Sequence, residues 1–170
     1  IDGQQRLTTL QIILIVLRDL SKSIDYDGLD NILNRLTRND CRREQELELY
    51  KVWPTNSDRH VFEQVFNAGS REIIQKTHPL VRKPRSSKYL PRPRMVEAYL
   101  FFYHQALEYS DDKSDEQYYR PSVVRIEALV EAITKRMELV LIELEERDNP
   151  QIIFETLNAR GEPLLPSDLI

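Results

Sequence analysis

Cysteine is almost absent from the chain: Cys41 stands alone among 170 residues. No internal disulfide is therefore possible, which fits a reducing compartment and predicts a cytoplasmic protein. With that single cysteine, the scattered His60, His78 and His104 make no metal-ligand spacing, which argues against a structural zinc site. There is no Gly-x-x-x-x-Gly-Lys-Ser/Thr loop, so a nucleotide site of the Walker type is excluded. No Ser/His/Asp or Cys/His order suggests nucleophilic catalysis. No HNH-like cluster is present, so the chain is not expected to cut DNA by itself. Long apolar runs are missing as well. The longest, residues 12–17, falls far short of the roughly 20 residues that span a bilayer. No signal peptide is visible, and no membrane partner is expected.

What is present is a globular composition. Hydrophobic residues make up 41% and charged residues 31%, enough for one domain with a sizeable core. The formal net charge of −4 excludes a polycation built to coat nucleic acid.

The most informative segment is Ile1-Asp2-Gly3-Gln4-Gln5-Arg6-Leu7-Thr8-Thr9-Leu10. Asp-Gly is a turn-forming pair. Leu7, Leu10, Leu14 and Leu17 follow at helical spacing. Residues 2–6 are therefore expected in a turn and the first turn of a helix, where free N–H groups and the positive dipole end form a ready anion site. Arg6 adds a planar fork suited to phosphate, and Asp2 a carboxylate for a metal or a water. The same residues also suit a turn that merely caps a buried helix.

Two motifs together resemble those of the GmrSD-type modification-dependent restriction enzymes. The first is the segment 1–10. The second is Phe154-Glu155-Thr156-Leu157-Asn158-Ala159-Arg160-Gly161-Glu162-Pro163-Leu164, followed by Ser167-Asp168-Leu169. The resemblance implies the helical part of a ParB- and sulfiredoxin-like α+β domain that binds and hydrolyses a nucleoside triphosphate. It further implies a C-terminal HNH-type nuclease domain and DNA as partners of the longer protein, and a role in phage defence. On that reading Asp2 and Gln5 are catalytic, with Asp2 holding a divalent metal such as Mg2+ or orienting water. Gly3, Gln4, Arg6, Asn158, Arg160 and Gly161 would bind the nucleotide. Read on their own, Asn158 and Arg160 close a short helix beside a glycine that permits close backbone approach, and an Asn amide in such a place also serves to hold a loop.

The chain begins without Met inside the first motif and ends just after a candidate cap at Ser167. It reads as a single-domain fragment, residues 1–170, truncated at both ends and lacking the strands that precede the first motif in the family.

The rest of the chain reads as mainly α, with a few short strands near Ile1, Leu47 and Leu139. A buried helix is expected over residues 5–20, apolar nearly all round, and a second over 29–37 with Asp27 as candidate cap. Residues 46–50 alternate like a half-exposed strand. Ser57 is a candidate cap for a helix carrying Val61, Phe62, Val65 and Phe66. A further helix is expected over 95–108. Pro121 suits the first turn of another that runs to about Met137. Residues 139–142 look like a buried strand, with Glu143, Glu145 and Glu146 at its polar edge.

Residues 80–94 carry Arg82, Lys83, Arg85, Lys88, Arg92 and Arg94 and no acid, with Pro84, Pro91 and Pro93 denying a regular element. Such a basic segment with an interleaved Tyr89 can follow a nucleic-acid backbone, or be a solvated surface loop. Three functions therefore compete. They are a nucleotide-hydrolysing domain of a restriction protein, a DNA-contacting module using residues 80–94, and a helical scaffold.

Overall fold

A computed structural model describes residues 2–24, 26–40, 49–54, 56–111, 121–138 and 149. Its axis is helix α1, Asp2–Ser23. Ile12, Leu14, Ile15, Val16, Leu17 and Leu20 are all buried, so the apolar residues that occupy every side of this helix each find a neighbour. The helix begins three residues earlier than its apolar pattern suggested and absorbs the Asp-Gly pair. The first N–H groups of a helix lack intrahelical partners in any case, and an acidic residue type suits the positive dipole end, so helix can start at Asp2.

A 3₁₀ turn, Asp27–Leu29, leads into α2, Asp30–Thr37. The candidate cap Asp27 thus lies inside that turn, and Leu29 holds the N-cap position. Buried Leu29 and Leu33 turn α2 onto α1. Gln11 on α1 donates to the Leu36 carbonyl at 3.2 Å.

Helix α3, Arg59–Asn67, buries Phe62, Val65 and Phe66. A 3₁₀ turn, Asn56–Asp58, precedes it. Ser57 lies in that turn, and Asp58 takes the N-cap position expected of Ser57. Gly69, at φ +71°, reverses the chain into α4, Arg71–Thr77, whose N-cap Ser70 accepts from the Ile73 amide at 3.3 Å. This seven-residue helix was not anticipated. Only Ile74 on it is buried, so no periodic apolar pattern announces it.

Helix α5, Arg94–Ser110, lays Val96, Tyr99 and Tyr103 against α1 at spacings of three and four residues. Helix α6, Val123–Glu131, buries Ile126 and Val130 against α1 and α5 and continues as a π-helical turn, Ala132–Arg136. Pro121 sits before the N-cap Ser122 and not in the first turn; it pairs with Asp111 in an isolated antiparallel bridge. The fold is mainly helical. Among the described residues there is no strand, only three isolated bridges. The strand positions expected near Ile1, Leu47 and Leu139 fall outside the described residues. Tyr50, at the end of one of them, bridges to Arg38.

Candidate functional site

The exposed N-terminal turns of α1 form one wall of a cleft of about 380 Å³. Gln4, Gln5, Thr8, Thr9 and Ile12 share one helical face at i, i+1, i+4, i+5 and i+8, and all five line it. The second wall is the start of α3, with Pro54, Asp58 and Val61. The third is the start of α5, with Pro93, Arg94, Met95 and Ala98. Three helix beginnings thus meet at one opening. Ile12, Val61, Met95 and Ala98 make an apolar part. Two amides, two hydroxyls, one carboxylate and one guanidinium make a polar part. Thr9 also donates to the Gln5 carbonyl at 2.8 Å, which ties the middle of that wall together.

Of the residues singled out in the first motif, Gln4 and Gln5 face this cleft. Gly3 and Arg6 are exposed in the same helix turns but are not among its lining residues. Asp2 is the first residue of α1. Gly3 does not turn the chain: it is helical, and a Cβ placed on it would meet nothing within 4 Å. Asn158, Arg160 and Gly161, and the carboxylates Glu143, Glu145 and Glu146, lie outside the described residues. Thr8, Thr9, Asp58 and Met95 were missed from sequence, and Arg94 was read only as part of the basic segment 80–94. The helical spacing from Gln4 and Gln5 could have found the threonines. Nothing in the sequence joins Asp58 and Arg94 to them, because tertiary packing alone does so.

The inner half of α1 carries a buried polar network. Arg18 pairs with Asp19 at 2.9 Å and donates to the Phe66 carbonyl near the end of α3 at 2.7 Å. Tyr99 donates to the other Asp19 oxygen at 2.9 Å. Burial pushes the Asp19 carboxyl above the ordinary carboxylate range, outweighing the opposing pull of Arg18 and Tyr99. Burial and the neighbouring Asp19 push the Tyr99 hydroxyl far up, so it remains a donor. This network joins α1, α3 and α5, the three helices whose beginnings form the cleft.

The family model of the GmrSD restriction endonuclease N-terminal domain matches residues 1–170, the whole length. The chain belongs to that family. No curated protein and no solved structure matches it. The family's restriction role places the chain in a restriction endonuclease. As a GmrSD N-terminal domain it presents the two glutamines of its opening motif to a cleft and builds the remaining walls from helices in the middle of the chain. Among the described residues, no group of three or more His, Cys, Asp or Glu could hold a metal ion, and no helix is long and apolar enough to cross a membrane.

Proposed function

We propose that this chain is the nucleotide-binding domain of its restriction endonuclease, and that it hydrolyses a nucleoside triphosphate with Mg2+ to regulate a nuclease domain acting on DNA. The observation that carries this reading is the cleft itself. It has the volume of a small-molecule site, an apolar part that suits a base, and polar groups converging from three helix beginnings. Gln4 and Gln5 orient the base or the attacking water, Thr8 donates to a phosphate or ribose oxygen, and Thr9, its proton held by the Gln5 carbonyl, accepts from a ribose hydroxyl. The amides at the head of α1, with Arg6 beside them, favour the phosphates. Mg2+ asks the protein for only one or two carboxylates and takes its other ligands from phosphates and water. Asp2 at the head of α1 and Asp58 on the cleft wall can meet that demand. When bound, the metal neutralises charge on the transferring phosphoryl group. Asn158, Arg160 and Gly161 are further nucleotide contacts in this proposal.

Titration of the full chain with each of the four ribonucleoside triphosphates, with and without Mg2+, tests the reading. Saturable binding is expected. Arg6→Ala and Asn158→Ala should weaken it, whereas Asp2→Ala should mainly slow turnover, because a metal- or water-orienting carboxylate acts as the transition state forms. Melting temperatures belong on the same preparations. Absence of saturable binding, or variants that lose stability and binding together, would leave residues 2–6 as a helix start and no more.

A further inference from the structure

Residues 81–90, between α4 and α5, form a basic hairpin that the cleft does not use. The Leu90 amide donates to the Val81 carbonyl at 2.8 Å, and the Lys83 amide to the Lys88 carbonyl at 2.9 Å. Arg82 and Tyr89 form the bridge between them. Its root is fastened by Arg92, which donates to the His78 carbonyl at 2.7 Å and approaches Glu97 of α5 at 3.9 Å. From Glu72 to Glu97 the chain contains no acidic residue between them, although the whole chain carries a formal net charge of −4. Arg82, Lys83, Arg85 and Lys88 are all exposed, and no salt bridge joins any of them to an acid among the described residues.

The tip adds a second observation. The Ser86 amide donates to the Lys83 carbonyl at 3.2 Å, which places Pro84 and Arg85 at the two central positions of a turn. Arg85 has φ +56°, and among the described residues it is the one non-glycine at positive φ. Proline first and positive φ second is the pattern of a type II turn, whose second central position favours glycine. An arginine there is strained, because its Cβ crowds the backbone in the left-handed region. Packing does not account for it, because the side chain is exposed. What the arginine contributes at the apex is a charge held away from the body of the protein.

We propose that the hairpin 81–90 contacts the phosphate backbone of duplex DNA, with Lys83, Arg85 and Lys88 as the contacting cations. A two-stranded ribbon with a cationic apex fits against a groove and its flanking phosphates. The identity of the polynucleotide rests on the restriction role proposed above; the hairpin geometry does not.

The test is the salt dependence of binding by the full chain to a short fluorescent duplex, read by anisotropy between roughly 50 and 200 mM salt. Each phosphate contact contributes about 0.9 to the slope of log affinity against log salt, so the triple change Lys83→Gln, Arg85→Gln, Lys88→Gln should lower the slope by about 2.7. The triple change Lys83→Arg, Arg85→Lys, Lys88→Arg should retain it. Arg85→Gly alone relieves the turn and should raise or preserve the melting temperature while lowering the slope by about 0.9. A purely structural role for Arg85 predicts no loss for that variant. An unchanged slope in the neutralised triple variant, no duplex binding by the parent chain, or equal binding to polyglutamate would each overturn the proposal. Nucleotide titration of the triple variant reads the cleft separately, since no residue between 81 and 90 lines it. The nucleotide reading can therefore fail while this one stands, and the reverse.

Discussion

Tyr99 on α5 donates its hydroxyl to Asp19 on α1 across 2.9 Å, with both side chains buried. It ties α5 to α1 one residue beyond Ala98, which lines the cleft. Tyr99→Phe removes one donor from a buried carboxylate, and should cost about 1–3 kcal/mol. Asp19→Ala leaves the buried Arg18 guanidinium without its counter-charge, and should cost about 3–5 kcal/mol. Urea unfolding midpoints with unchanged slope read both values. Losses below about 0.5 kcal/mol would mean that the network is dispensable.

Gly3→Ala separates stability from binding. Glycine in a helix is less favourable than alanine by up to about 1 kcal/mol. Since a Cβ at position 3 meets open space, the melting temperature should rise. If a phosphate approaches the backbone there, nucleotide affinity should fall in the same protein. A rise in both would remove Gly3 from the site.

Filling the cleft should abolish binding without touching the motif. Ala98 lines the cleft and is only partly buried, so Ala98→Trp places a large ring into the 380 Å³ space from the α5 side. Nucleotide affinity should drop by at least roughly tenfold, equivalent to about 1.4 kcal/mol. Circular dichroism and melting temperature should remain near those of the parent. Undiminished affinity would place the nucleotide elsewhere.

His78 predicts a pH dependence. Its Nε2 is buried and has no hydrogen-bond partner among the described residues. Burial first, then the charges of Arg92 and His60, hold it below the usual imidazole value of 6.5. The unfolded chain therefore binds a proton more readily than the folded one. Stability from this residue is complete above about pH 6.5 and declines as pH falls from there toward the lower folded value. Melting curves across that range should show the decline in the parent and a smaller one in His78→Gln. Identical profiles would assign the acid sensitivity to other groups.

Much of the fold was legible because periodicity reports burial. The apolar residues of α1, the four large side chains of α3 and the Val96–Tyr99–Tyr103 stripe each announced a helix that is present. Helix boundaries were less legible. Asp2, Asp27 and Ser57 are cap-type residues, yet each lies inside a helical or 3₁₀ turn, since neighbouring packing selects among several acceptable starts. Half of the site was readable in the same way, through Gln4 and Gln5. The other half belongs to Asp58 and Arg94, separated from the motif by more than forty residues of chain, and only the packing of α3 and α5 on α1 brings them near. The basic segment 80–94 was visible as charge. Its turn, and the strained arginine at its tip, were not, because proline-rich composition excludes regular elements without choosing among irregular ones.

Helix α1 serves as a cleft wall at one end and as the centre of the core at the other, in a single rod about 33 Å long at 1.5 Å per residue. Changes that tilt or shift it disturb the shape of the cleft and folding together. Variation in what the cleft accepts has a less constrained route through the opposite walls. Asp58 and Arg94 are exposed and Met95 only half-buried, so they can be exchanged with little cost to the core. The chemistry of the cleft can therefore diverge between relatives at the α3 and α5 edges, while the α1 wall runs on into the core from Ile12.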